Sequence, residues 1–134
     1  MTPKLRTRDI SKSYYRNYLK RAEECLRAAE HSFTNQDWNA VSINSIHACI
    51  AACDAMCVYF LGKRHAGESH NDAVALFKMI KSSEKINVNA NRITRILRIK
   101  NMAEYEERLV YKSEAEKVFK DCKRFLEYAA KELP

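Results

Sequence analysis

Apolar residues recur along this chain at the spacing of helix faces. Tyr15, Tyr18, Leu19, Ala22, Leu26, Ala29 and Phe33 make one stripe, which predicts a helix over residues 13–33. Ile43, Ile46, Ile50, Cys57 and Leu61 make a second, over residues 38–61, with Asp37 placed to cap its start and Gly62 its end. Ala73, Leu76, Phe77 and Ile80 predict a third helix over 69–82, after a short loop. A polar break at 83–89 precedes a fourth over 89–108, with Ile93, Ile96, Leu97 and Ala103 inward. The last, over 113–133, opens on a capping-box pair, Ser113 with Glu116, and carries Ala115, Val118, Phe119, Cys122, Phe125, Leu126 and Ala129. Short connections make successive helices antiparallel neighbours. The expected fold is all-α, an up-and-down bundle of four to five antiparallel helices. It forms one domain over residues 13–134, behind an irregular basic arm over 1–12.

Polar residues interrupt two of these stripes. His47 and Asp54 fall within the face of the second helix, and Lys100 falls near the centre of the fourth. A buried unpaired charge costs several kcal/mol, so an inward Asp54 and an inward Lys100 imply each other, or a ligand. Charge between two helices either fixes their register or binds an anion, with Lys100 as a phosphate-holding point charge. His47 is expected to be a satisfied core residue.

Composition supports the helical reading: Gly and Pro occur twice each in 134 residues. The net charge of +7 favours polyanions, RNA or DNA first, although a basic surface alone does not require one. Of the five cysteines, Cys49, Cys53 and Cys57 share one helix at i, i+4, i+8. That spacing drifts around the axis and suits small core residues better than a metal. An odd count on a helix points to a reducing compartment, hence the cytoplasm. The first nine residues lack the apolar run of a secretory signal, and no stretch reads as the ~20 apolar residues of a membrane span. No metal or cofactor is expected.

Three further clusters carry chemistry. Arg64, His65 and His70 converge on the start of the third helix, where free N–H groups favour anions. Arg64 and His70 also form Arg-x5-His, a spacing that lets a cation and an imidazole face one phosphodiester; a solvated turn with a capping histidine explains them as well. Lys100 and Glu104 share a helix face, while Tyr105 lies about 140° around from Lys100 and points toward a neighbouring helix or a dimer partner. Arg92, Arg95 and Arg98 make a basic ridge able to track a nucleic-acid backbone, or else a solvated face. There is no Gly-rich phosphate loop, His-Glu-x-x-His or nucleophile elbow.

The stretch "ACIAACDAMCVYFLGKRHAGESHNDAVALF" resembles the HEPN superfamily, most closely a small bacterial branch. Its pattern is Asp-Ala-x-Cys, Gly-x-Arg, a His with Ala-Val-x-Leu, then Lys-x-x-Ala-x-Tyr. Here these are Asp54 to Cys57, Gly62 to Arg64, His70 with Ala73 to Leu76, and Lys100 to Tyr105. The resemblance covers about residues 13–132. It implies a four- to five-helix bundle that dimerises. Many members are metal-independent ribonucleases, often toxins paired with a nucleotidyltransferase antitoxin, marked by Arg-x4–6-His on a late helix. This chain departs there: Lys100-Asn101 replaces the Arg-polar start, and Tyr105 stands where the His belongs. A Tyr is a poor general base near neutral pH. The resemblance therefore implies a domain that binds a nucleotide or an RNA phosphate through Asp54, Arg64, His70, Lys100 and Tyr105, as a homodimer. The alternatives are an endoribonuclease toxin, with His70, Lys100 and Tyr105 as candidate catalytic groups, and a structural or interaction module.

Overall fold

The computed structural model describes residues 5–67 and 69–134; the side chain of His70 lies outside the described set. Six α-helices appear among the described residues: α1 (Tyr15–Thr34), α2 (Trp38–Leu61), α3 (His70–Lys78), α4 (Glu84–Arg98), the short α5 (Lys100–Tyr105) and α6 (Lys112–Glu132). Two short strands, β1 (Thr7–Asp9) and β2 (Lys63–His65), pair antiparallel, with Arg8 opposite Arg64.

The helix α2 is the axis of the bundle. It packs along α1 and against α6, and also meets α3, α4 and α5. Its buried residues run almost all the way round, from Val41 and Ile46 through Ala48, Cys49, Ala52, Cys53, Ala55, Met56 and Cys57. A helix apolar on every side belongs in a core. This explains why α2 alone among the helices is long and apolar enough to cross a membrane, contrary to the expectation from sequence, while 72% of that window is buried inside the bundle. The outer helices bury single stripes: Tyr15, Ala22 and Ala29 of α1, and Ala115, Val118, Cys122, Phe125, Leu126 and Ala129 of α6. Phe77 of α3 meets Phe125 of α6 edge-on, with ring centroids 5.7 Å apart. Burial lifts the Cys49 thiol well above its ordinary range and Cys122 to about 12, so both pack as small apolar groups.

Several boundaries differ from the sequence reading. The arm is not irregular throughout: β1 pairs with β2, and Ile10 N–H donates to the Gly62 carbonyl (3.0 Å). Gly62 takes the left-handed conformation, φ 67°, that closes α2 and turns the chain into β2. The fourth helix starts five residues earlier than expected, because Ser83 Oγ accepts from Ile86 N–H (3.2 Å) and the apolar stripe begins at Ile86. It ends at Arg98, with Ile99 closing it, and α5 follows as a separate turn. The expected Ser113–Glu116 cap is not formed. Instead Glu114 Oε1 accepts from Tyr111 N–H (2.8 Å), and α6 starts at Lys112. Asp37 holds the cap position of α2, but its side chain makes no capping bond.

Candidate functional site

A cavity of about 350 Å³ opens between α2, β2, α3, α4 and α5. Its walls are apolar: Ile50 and Cys53 of α2, Ala73 of α3, Ile93 and Leu97 of α4. Its polar groups are Asp54, Arg64, His65 and Lys100. Three sequence candidates far apart in the chain, Asp54, Arg64 and Lys100, therefore face one space. Pairing of β2 with β1 is what carries Arg64 there, since it fixes the chain that leaves α2.

Within the cavity the charges are unevenly matched. Asp54 is partly buried and makes no ion pair or hydrogen bond among the described residues. Burial raises its carboxyl to about 6, and the positive fields of Arg64 and Arg21 offset only part of that. Arg64 has its Nε buried with no hydrogen-bond partner among the described residues. Its guanidinium carbon lies 5.9 Å from the centroid of the Tyr18 ring. A desolvated acceptor and an orphaned donor thus share the cavity without satisfying each other.

The expected Asp54–Lys100 pairing is absent. Lys100 Nζ instead donates to Glu104 Oε2 at 3.0 Å, one turn away. The i, i+4 partner wins because it sits on the same short helix and needs no reach across the bundle. Glu104 Oε1 lies 3.0 Å from His47 Nε2. An ionised carboxylate can only accept, which places a proton on that nitrogen. Burial of Glu104 pushes its carboxyl upward, but the hydrogen bonds from Lys100 and His47 outweigh it and hold the carboxyl below its usual range. His47 is thus not a core residue: its side chain is 55% exposed, on the one side of α2 that the bundle leaves uncovered.

Of the other candidates, Tyr105 does not line the cavity. Tyr105 is 73% exposed, with its ring 5.7 Å from Lys100 Nζ. The His70 backbone opens α3, and its side chain lies outside the described residues. Cys49, Cys53 and Cys57 are core packing residues. Sequence reasoning missed Arg21 and the His47–Glu104 contact. Their only sequence signal was polarity on helix or loop positions that many solvated residues share.

A second concavity, about 580 Å³, runs between α4 and α6. Here Arg95 makes two 3.0 Å bonds to Asp121, and Arg108 makes two 2.9 Å bonds to Glu114. Arg98, Lys117, Lys120 and Arg124 line the same groove and make no ion pair among the described residues. Of the basic ridge expected on the fourth helix, Arg95 and Arg98 line the groove, with Arg95 tied down, whereas Arg92 lies outside it and donates to Asn89 Oδ1 at 2.9 Å.

The HEPN domain family model matches residues 15–133, and the chain belongs to that family. No curated relative matches it.

Proposed function

We propose that this HEPN-family chain binds a nucleotide or an RNA phosphate in the cavity beside Asp54, Arg64 and Lys100. The observation that carries the reading is the meeting of two cations from separate elements, Arg64 on β2 and Lys100 on α5, at one apolar-walled cavity of about 350 Å³. Ligand sites of about 300–1,000 Å³ combine apolar walls with a few convergent polar groups in this way. Lys100 spends one ammonium N–H on Glu104, which leaves two for a phosphate. Asp54 does not orient Lys100; that role falls to Glu104. The basic groove between α4 and α6 supports RNA over a free nucleotide, since it adds positive charge able to attract a polyanion. The Asp-Ala-x-Cys, Gly-x-Arg and Lys-x-x-Ala-x-Tyr pattern supports placing the chain in the small bacterial branch that it resembles. Self-association as a homodimer belongs to the same reading; Tyr105, Leu109 and Tyr111, all exposed around the α5–α6 connection, offer the apolar surface.

The test is a mixed RNA pool incubated in EDTA with the wild type, His70→Ala and Lys100→Ala, beside calorimetric titration with nucleoside monophosphates. The expected result is nucleotide binding that weakens in Lys100→Ala, without RNA cleavage. Cleavage that disappears in both variants would instead establish a metal-independent ribonuclease.

A further inference from the structure

The unmatched groups in the cavity set requirements that a phosphate alone does not meet. Asp54, once ionised, repels phosphate and needs hydrogen-bond donors. The buried Arg64 Nε–H needs an acceptor. A ligand that satisfies both presents donors and an acceptor on one edge, within an apolar slot. We propose that the cavity selects a guanine base, with Asp54 accepting from guanine N1–H and the N2 amino group and Arg64 donating to O6, while Lys100 remains for the phosphate. This rests on the nucleotide-binding reading and adds base choice to it.

Among the four RNA bases only guanine presents two adjacent donors beside an acceptor on its pairing edge. Adenine offers one amino donor and turns the N1 lone pair toward a carboxylate. Cytosine likewise sets one amino donor beside a lone pair, and uracil sets one N–H between two carbonyl oxygens. Each of these would place an acceptor against Asp54 and leave a buried partner unpaired, and unpaired buried groups are what make hydrogen-bonding sites selective. The apolar walls, Ile50, Ile93 and Leu97, suit the faces of a purine. The raised Asp54 carboxyl agrees with a group held partly out of water, without a hydrogen-bond partner among the described residues.

The experiment is calorimetric titration of the full chain at pH 7.5 with 5′-GMP, 5′-IMP and 5′-AMP, repeated on Asp54→Asn. IMP keeps N1–H and O6 but lacks the N2 amino group, so it tests the pairing in the wild-type chain without any substitution. The expected order is GMP, then IMP several-fold weaker, then AMP about tenfold or more weaker than GMP. Asp54→Asn, which supplies one donor and one acceptor, should erase the GMP preference while still binding nucleotide. Equal affinities of GMP and AMP would overturn the base selection and leave the phosphate reading standing. No binding of any nucleotide would overturn both. A further arm compares a five-nucleotide uridine strand with and without one central guanosine. If the guanosine strand binds tighter than GMP, the base is recognised within RNA; if it binds no tighter, the free nucleotide is the ligand. A strand without guanosine binding as well as the strand with it would again overturn the selection.

Discussion

The cavity beside α2 and the groove between α4 and α6 hold similar side chains in opposite states. In the groove, Asp121 and Glu114 each accept two bonds from one arginine, and the geometry is complete. In the cavity, Asp54 and Arg64 lie near enough for their fields to couple, yet neither satisfies the other. Paired charges hold helices in register. Unpaired ones in a walled space carry a desolvation cost with no structural return, which is the signature of groups kept for a ligand. The contrast also separates kinds of positive charge: Arg98, Lys117, Lys120 and Arg124 make no ion pair among the described residues and line an open groove, able to attract a strand but not to choose one.

The sharpest way to break this comparison is substitution of one arginine from each region. Arg64→Ala should weaken nucleotide binding by roughly ten- to a hundredfold, the worth of a charge-assisted hydrogen bond, with little change in stability. Arg95→Ala should leave nucleotide binding unchanged. Equal losses of binding in both variants, measured by calorimetry, would erase the distinction.

Stability gives the next largest effect. A carboxyl raised from 3.8 to about 6 favours the folded state only while protonated. Its contribution is complete below about pH 4 and is lost as the pH rises through about 6. Asp54→Asn should therefore stabilise the chain by roughly 2 kcal/mol at pH 7.5 and have no effect near pH 4. Urea melts at the two pH values measure it. A destabilised variant at pH 7.5 would mean that Asp54 holds a structural partner.

Smaller effects come from the paired groups. Lys100→Met strands Glu104, whose side chain is only 11% exposed, but His47 remains to accompany it. The expected cost is about 1 kcal/mol, and Glu104→Leu added to it should recover most of the loss. If the double variant is worse than the single one, Glu104 is engaged elsewhere. Asp121→Asn should cost roughly 0.5 kcal/mol, because Arg95 is half exposed and screened, and raising the salt concentration should shrink that difference.

The helices were legible in the sequence because their stripes are long and regular; α1 and α6 bury the positions their periodicity marks. The core helix α2 misled in one respect. A helix buried on most sides has no single stripe, so His47, which lay within the apparent one, sits on the open side. Strands of three residues, such as Lys63–His65, carry too little alternation to be seen, although they deliver Arg64 to the cavity. The idea that inward Asp54 and Lys100 call for each other was right about their meeting place and wrong about the bond. Lys100 takes its nearer partner Glu104, one turn on and already on its face in the sequence, in place of one across the bundle.

The most direct test of the account is a two-dimensional amide NMR titration of the ¹⁵N-labelled chain with a guanosine-containing dinucleotide. The account predicts that the first resonances to move belong to residues around Asp54, Arg64, Ala73 and Lys100, with those near Arg98, Lys117 and Lys120 following only with longer strands. Shifts confined to the α4–α6 groove, with Asp54 and Arg64 unmoved, would contradict it.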